Sequence, residues 1–193
     1  MNDRIAPVQS AIPLIGIVGW SGSGKTTLLE RLLPLLREAG ERCAVIKHAH
    51  HQFDIDQPGK DSHRLRSAGA APMLVASGRR YAMMVETPGR EEPDLVELVE
   101  RVSDLAPTLI LVEGFKHAPL AKLEVHRPAL GKPLIATSDP WVIAVATPAP
   151  LGLPAGVENL QLDQPKALVD WLLGWRRGWP SNNAPRQTAE HPR

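Results

Sequence analysis

The stretch Gly19-Trp20-Ser21-Gly22-Ser23-Gly24-Lys25-Thr26 decides how the rest of this chain is arranged. It matches G-x-x-x-x-G-K-[ST] at every fixed position, the pattern of a loop whose backbone N–H groups surround a phosphate. Glycines are needed because a Cβ would block several of the backbone angles in such a loop. The apolar run 12–18 before it predicts a buried parallel strand, and leucines at helical spacing after it predict a helix.

The polar residues of this loop have separate expected roles. Lys25 is expected to bring its ammonium group to the β- and γ-phosphates of a nucleotide, and the Thr26 hydroxyl to bind Mg²⁺. The positive end of the following helix points at the same phosphates. The predicted phosphate-binding residues are Gly22, Ser23, Gly24, Lys25, Thr26 and Thr27.

The composition fits a single globular domain with a substantial core. The chain has 193 residues, 43% of them hydrophobic, and a formal net charge of +1, which argues against a large basic face for nucleic acid. Its lack of an apolar run of about 18 residues argues against a membrane span. We expect a nucleotide-binding domain over 12–175, an N-terminal extension over 1–11 and a disordered tail over 176–193, which is rich in Pro, Asn and Arg.

Cys43 is the one cysteine of the sequence, so no disulfide forms within the chain. A reducing cytoplasm is the natural setting for such a protein. Cys43 lies in an apolar run, where a small packing residue is more typical than a nucleophile.

The alternation of strand and helix patterns predicts an α/β fold of the P-loop NTPase type, a three-layer sandwich. Its central sheet is expected to be mostly parallel, with helices on both faces and a β-hairpin extension. Pro34 predicts a kink or break in the first helix, Pro93 should lie in the first turn of a later helix, and Leu105 on its apolar face. The predicted helices are 25–39, 61–70, 93–105 and 165–174, and the predicted strands are 12–18, 41–48, 71–77, 80–86, 108–114, 123–127 and 141–146.

Two acidic residues at predicted strand or turn ends are candidate ligands. The apolar strand 108–114 ends in Glu113, which could hold Mg²⁺ or activate an attacking water, with Lys25 as the other catalytic candidate. The alternative is a carboxylate that merely ends a strand. The guanine-reading sequence N-K-x-D is missing; Asp139 could accept hydrogen bonds from guanine, although an Asp before Pro is also typical of a plain turn.

A polar stretch over 47–66 follows the second predicted strand, where an open α/β sheet places its ligands. The basic residues Lys47, Lys60, Arg64 and Arg66 favour a second anion or substrate site. Two alternatives stay open: a transition-metal site formed by histidines 48, 50 and 51 with Asp54 and Asp56, and an ordinary solvated loop. We expect this segment to close over the γ-phosphate.

The order of these motifs resembles the molybdopterin-guanine dinucleotide biosynthesis adaptor family, MobB, within the P-loop NTPase superfamily. The resemblance rests on Gly19 to Thr27, Lys47-His48, His50-His51, Asp54 to Ser62, Ala68 to Ala70 and Val112 to Lys116. It implies a GTP-binding homodimer in the bacterial cytoplasm that assists the guanylyltransferase joining GMP to molybdopterin, with molybdopterin as a possible further ligand. It also implies Mg²⁺ at Thr26 and Glu113, and at most weak GTPase activity.

The resemblance further assigns Asp54, Asp56, Lys60 and Asp61 to a second part of the binding site. Lys47, His48 and Arg64 are further predicted binding residues in the same stretch. Slow hydrolysis is expected because no arginine finger or glutamine can be assigned beyond the candidates Arg64 and Arg66. Two other functions stay open. One is an ATP-dependent small-molecule kinase using Arg79, Arg80 and Arg90 as lid cations, and the other is a binding module without turnover.

Overall fold

The computed structural model describes residues 6–49, 53–180, 183 and 186. The chain divides into two compact units, a larger one from 1–48 and 94–193 and a smaller one from 49–93. Strands in the described part are β1 (Leu14–Val18), β2 (Cys43–Lys47), β3 (Met73–Ala76), β4 (Tyr81–Met84), β5 (Leu109–Glu113), β6 (Lys122–Val125), β7 (Val142–Thr147) and β8 (Glu158–Gln161). Helices there are α1 (Lys25–Glu38), α2 (Asp61–Ser67), α3 (Leu95–Ser103) and α4 (Pro165–Arg176).

The larger unit is built on a six-stranded sheet in the order β2-β5-β1-β6-β7-β8. All its strand pairs are parallel. The strand that precedes the phosphate loop therefore lies in the middle of the sheet, between β5 and β6, and all five of its residues are buried. The predicted α/β fold with a parallel sheet is confirmed.

Helices cover both faces of this sheet, as predicted. Because side chains alternate along a strand, Ile15 and Ile17 of β1 face one side, where they pack with the apolar residues of α1 and α4. Leu14 faces the other side and packs with Leu95 and Val99 of α3. The larger unit is thus a three-layer sandwich with apolar packing on both faces of its sheet.

Three details of the helices differ from the predictions. Helix α1 continues through Pro34, so the predicted break does not occur; this proline is exposed, where water can satisfy a carbonyl that loses its N–H partner. Asp94 caps α3 by accepting hydrogen bonds from Val96 N and Glu97 N, which places Pro93 before the helix and not in its first turn. Leu105 lies beyond the end of α3 and is exposed.

The disordered tail was predicted to begin at residue 176, which is too early in the chain. Arg176 is the last residue of α4 and pairs with Glu41, and Trp179 packs edge-on against Trp175 with ring centroids 5.7 Å apart. Val8, assigned to an N-terminal extension, is buried in the core and donates its N–H to Pro119 O. Aromatic and apolar packing thus extends the folded region at both ends. Most residues after 180 lie outside the described part of the chain.

The smaller unit holds α2 and the predicted hairpin. Strands β3 and β4 pair antiparallel, from Met73 opposite Met84 to Ala76 opposite Tyr81. The connection runs through Gly78-Arg79, as predicted, and Ser77 N donates to Arg80 O at 2.8 Å. No residue of α2 is buried.

Candidate functional site

The phosphate loop leaves the carboxyl end of β1 in a conformation that requires glycine. A Cβ on Gly19 would lie 2.5 Å from Val125 O and 2.7 Å from Ser23 Oγ, so no other residue fits there. Gly24 has φ 96° and begins α1 as its N-cap residue in the left-handed region. The loop is therefore shaped by close packing at one end and by a left-handed residue at the other.

The start of α1 is prepared for an anion. Gly24 provides no side-chain cap, and the first turn of the helix contains no acidic residue. The N–H groups at a helix start have no partner inside the helix, so they remain available to phosphate oxygens. Ser23 is an exception among the predicted ligands, because its N–H donates to Trp20 O at 3.1 Å and its side chain packs against Gly19. In this structure Ser23 shapes the loop.

Lys25 is anchored to the loop that it follows. Its Nζ donates to Gly19 O at 3.0 Å and to Trp20 O at 3.1 Å, which holds the ammonium group over the loop. Burial lowers the pKa of Lys25, Glu113 opposes this shift, and the nearby charges of Lys116 and Lys47 add to it. Three lysines around one carboxylate leave an excess of positive charge here, which favours the binding of anions.

Thr26 and Glu113 meet across the carboxyl edge of the sheet. Thr26 Oγ1 donates to Glu113 Oε1 at 3.0 Å, and Glu113 is buried, with 8% of its surface exposed. Lys47 Nζ donates to both Glu113 oxygens at 3.2 Å and lies 3.4 Å from Thr26 Oγ1. This meeting follows from the sheet register, since Glu113 of β5 lies opposite both Ile17 of β1 and Lys47 of β2.

The residues at this edge fit Mg²⁺. A hydroxyl and a carboxylate are the hard oxygen donors that Mg²⁺ prefers, and nucleotide phosphates supply further oxygens. The Lys47 ammonium group on the Glu113 carboxylate shows that this position already stabilises a cation. Thr26 and Glu113 are thus able to hold the metal beside the phosphate loop.

His48 lies at the end of β2 and packs against the segment that follows β5. Its ring stacks on Phe115 with centroids 4.7 Å apart. A Cβ on Gly114 would lie 2.7 Å from His48 Cβ, so only glycine permits this close approach. The structure thus gives His48 a packing contact, and its predicted contact with nucleotide stays a prediction. His50 and His51 lie outside the described residues.

Asp139 does not have the surroundings of a guanine-reading residue. Asp139 Oδ2 accepts a hydrogen bond of 2.6 Å from Lys122 Nζ, and Oδ1 accepts one of 2.9 Å from Trp141 N. The Lys122 side chain is 1% exposed, and burial lowers its pKa while Asp139 opposes that shift. A buried ammonium group needs this carboxylate as its counter-ion. The turn role considered from the sequence is therefore favoured over the guanine contact.

In the smaller unit, the predicted ligands Asp54 and Asp56 surround Arg66. The Arg66 guanidinium donates to Asp54 at 2.5 Å, to Asp56 at 3.4 Å and to Glu86 at 3.1 Å. The N–H of Asp56 and then Arg66 lower the pKa of Asp54. Arg66 is thus fully engaged by carboxylates of its own unit, which argues against its predicted role as an arginine finger.

The remaining predicted ligands of the smaller unit are exposed. Lys60 is the N-cap residue of α2, Asp61 lies in its first turn, and Arg64 pairs with Asp61 at 3.7 Å. Exposed ion pairs of this kind contribute little to stability. These contacts favour the solvated-loop interpretation for Lys60, Asp61 and Arg64, and their role toward a ligand stays a prediction.

Comparison with known proteins gives the family. The profile of the family described as "Molybdopterin guanine dinucleotide synthesis protein B", MobB, matches residues 14–148. The chain belongs to the MobB family. This confirms the resemblance seen in the sequence and makes the chain a protein of molybdopterin guanine dinucleotide synthesis.

Relatives of similar length support this assignment. The chain is 46% identical over 168 residues to the molybdopterin-guanine dinucleotide biosynthesis adapter protein of Escherichia coli K12, covering 86% of this chain and 95% of the relative. It is 40% identical over 172 residues to the adapter protein of Haemophilus influenzae, with 89% and 94% covered. The crystal structure of Bacillus subtilis MobB has 28% identity and a TM-score of 0.67, with 86% of this chain and 99% of that chain covered.

Three residues at the phosphate loop were not assigned a role from the sequence of this MobB chain: Trp20, Lys116 and Arg127. Arg127 Nε donates to Ser23 O at 3.0 Å, and the Lys116 ammonium lies 4.4 Å from the centroid of the Trp20 ring. Neither contact has a local signal, because residues 20, 116 and 127 converge only through the strand order of the sheet. The Glu-Gly-Phe-Lys sequence at the end of β5 could have pointed to Lys116.

The transition-metal interpretation stays a prediction, because His50 and His51 lie outside the described residues. In the part of the chain that is described, no group of three or more His, Cys, Asp or Glu residues is placed to hold a metal ion. None of the described helices combines the length and apolar composition that a membrane crossing requires. Burial raises the pKa of the half-buried Cys43 thiol to about 11, which favours packing over nucleophilic chemistry.

Proposed function

We propose that this MobB-family chain binds GTP with Mg²⁺ at its phosphate loop and acts as an adaptor for the guanylyltransferase that joins GMP to molybdopterin. One observation carries the nucleotide part: Lys25 Nζ is held over the loop by Gly19 O and Trp20 O, beside the Thr26–Glu113 pair. A cation over a glycine loop with two hard oxygen donors beside it suits a metal-bound triphosphate.

Each residue of the site has a defined task in this proposal. The N–H groups at the start of α1 bind phosphate oxygens, and Lys25 neutralises charge on the β- and γ-phosphates. Thr26 and Glu113 hold Mg²⁺, which when bound draws charge from the phosphate oxygens. Lys47 can turn from Glu113 towards the γ-phosphate, because its side chain is 55% exposed.

The chain is expected to be at most a weak GTPase. Arg66 is engaged by three carboxylates, and Arg127 donates to a loop carbonyl, so both arginines already have structural partners. Fast hydrolysis requires an arginine or an equivalent group that stabilises the transition state. Slow turnover suits an adaptor that stays in its nucleotide-bound state while a partner works.

The adaptor part rests on family membership. Relatives that share 46% and 40% identity with this chain are named molybdopterin-guanine dinucleotide biosynthesis adapter proteins. We extend that role to this chain, with the guanylyltransferase as its partner, molybdopterin as a further ligand, a homodimer as the working form and the cytoplasm as its location.

Calorimetric titration of the purified chain with GTP and with ATP, each with Mg²⁺, tests the nucleotide part. We expect GTP to bind, little phosphate to be released, and K25A to lose most of the affinity while keeping its fold. K166A, on the first turn of α4, is the matched lysine control and should bind normally. ATP binding with release only after an acceptor is added would instead indicate a kinase.

The adaptor part has a separate test. Guanylyltransferase activity on molybdopterin is measured with no addition, with this chain, and with K25A. Stimulation by the wild-type chain but not by K25A supports the proposal, and equal rates in all three reactions contradict it. Light scattering of the same preparation checks the expected homodimer.

A further inference from the structure

Trp20 connects two lysines of the phosphate-loop region in different ways. Its carbonyl oxygen accepts the hydrogen bond from Lys25 Nζ at 3.1 Å, while its ring lies under Lys116 Nζ, 4.4 Å from the centroid. Trp20 Nε1 donates to Pro133 O at 2.8 Å, which fixes the plane of the ring. One loop residue therefore positions both ammonium groups.

Lys116 has no carboxylate partner among the described residues. Its interaction with Trp20 is a cation–π contact, which uses one side of the ammonium group and leaves N–H donors free on the other. Lys116 and Lys25 both contact Trp20, one through the ring and the other through the carbonyl oxygen, so their ammonium groups lie beside the same loop residue. Two neighbouring ammonium groups repel each other and are stabilised by a shared anion.

The position of Lys116 indicates which phosphate it would contact. It follows Glu113 by three residues in the segment after β5, and its side chain reaches Trp20, the second residue of the loop. Mg²⁺ held by Thr26 and Glu113 would also bind outer phosphate oxygens, which would bring the outer end of a triphosphate to the carboxyl end of β5, where the segment of Lys116 begins. The N–H groups at the start of α1 would hold the inner phosphates.

We propose that Lys116, held by the ring of Trp20, contacts the γ-phosphate and makes the site select a nucleoside triphosphate over a diphosphate. This deepens the proposed function and rests on it. Lys25 acts on both nucleotides through the β-phosphate, whereas Lys116 acts only where a γ-phosphate is present. Charge-assisted hydrogen bonds to an ionised oxygen are among the stronger contacts available to a protein.

The test compares the affinity for a non-hydrolysable GTP analogue with the affinity for GDP, both with Mg²⁺, in wild type and K116A. The ratio of the two affinities is the readout, since a general loss of loop structure would lower both. We expect K116A to reduce this ratio about ten-fold, as for one lost charge-assisted hydrogen bond. K116M, which keeps the apolar stem on Trp20, should give the same loss and guards against misfolding of K116A.

K132A is the matched control, because Lys132 Nζ lies near the same ring but farther from its centroid, at 5.8 Å against 4.4 Å for Lys116. It should leave the triphosphate-to-diphosphate ratio unchanged. Equal loss for both nucleotides in K116A, or an unchanged ratio in K116A and K116M, would overturn the assignment. If the wild type binds neither nucleotide, the proposed function itself fails, and this inference fails with it.

Discussion

Thr26 Oγ1 donates a hydrogen bond of 3.0 Å to Glu113 Oε1, and this contact joins the first turn of α1 to the last residue of β5. The two residues are 87 positions apart in the chain. They meet because β1 and β5 are adjacent parallel strands whose carboxyl ends reach the same edge of the sheet. An open α/β sheet places its ligand at that edge.

Glu113→Gln is expected to weaken Mg²⁺-dependent GTP binding about ten-fold or more, because a neutral amide is a poor Mg²⁺ ligand. The amide keeps the shape of the side chain, so the melting temperature should change little. Calorimetric titration with GTP at several Mg²⁺ concentrations measures the effect. E97Q on α3 is the control and should behave as wild type. Unchanged Mg²⁺ dependence in E113Q would remove Glu113 from the metal site.

The phosphate loop and its acidic partner could be predicted from the sequence because each has a local signal. The glycines and Lys25 form a contiguous motif, and Glu113 ends a short apolar run that is typical of a buried strand. The strand order then brings the two signals together. The central sheet and its helices were predictable for the same reason, since the period of the hydrophobic pattern and the length of the segment identify each element.

Contacts between distant charged residues could not be predicted. Nothing near Arg66 in sequence shows that Glu86 completes its ring of carboxylates, and nothing near Asp139 shows that it neutralises the buried Lys122. The end of the fold was misjudged because a Pro- and Arg-rich composition hid the packing of Trp179 on the core. Such partners depend on tertiary packing, which a single sequence does not reveal.

Arg127→Ala is expected to lower nucleotide affinity about five-fold, corresponding to about 1 kcal/mol for one lost hydrogen bond to the loop. Arg127 Nε donates to Ser23 O, and its guanidinium lies 3.6 Å from the position of a Cβ on Gly24. Loss of these contacts lets the loop leave its binding shape. Titration of R127A with GTP and with GDP should show the same loss for both, and R127K should fall between R127A and wild type. A loss confined to GTP would contradict this supporting role.

GTP affinity should fall with rising pH. The fall should begin at a lower pH than the titration of an ordinary lysine would cause. Only the ammonium form of Lys25 attracts phosphate, and burial lowers its pKa below the usual 10.5. At pH values between that lowered pKa and 10.5, the unfolded chain binds this proton more readily than the folded chain. The free energy of unfolding without nucleotide should therefore rise with pH, while the affinity for GTP falls.

Titrations with GTP from pH 7 upwards measure this effect, with thermal unfolding at the same pH values as the second readout. K25R is the control, because a guanidinium group stays charged throughout this range, so any affinity it retains should lack the Lys25 step. An identical pH profile for wild type and K25R would show that another group governs the change.

Asp139→Asn separates a structural role of this residue from a guanine-reading role. Asp139 is the carboxylate partner of Lys122, whose side chain is 1% exposed, so its neutralisation leaves a buried ammonium group without a counter-ion. We expect D139N to lower the free energy of unfolding by about 3 kcal/mol and to leave the preference between GTP and ATP unchanged. Urea unfolding and nucleotide titration measure the two quantities.

The double variant K122M/D139L should recover most of this stability, because replacing both members of a buried ion pair with apolar residues removes the uncompensated charge. Lys122 also donates to Lys116 O at 2.7 Å, and Asp139 Oδ1 accepts from Trp141 N at 2.9 Å, so the double variant removes one further hydrogen bond on each side of the pair. Recovery is therefore expected to be incomplete by about 2 kcal/mol, about 1 kcal/mol for each. A shift of D139N from GTP towards other bases, with normal stability, would instead show that Asp139 contacts guanine and that its bond to Lys122 is secondary.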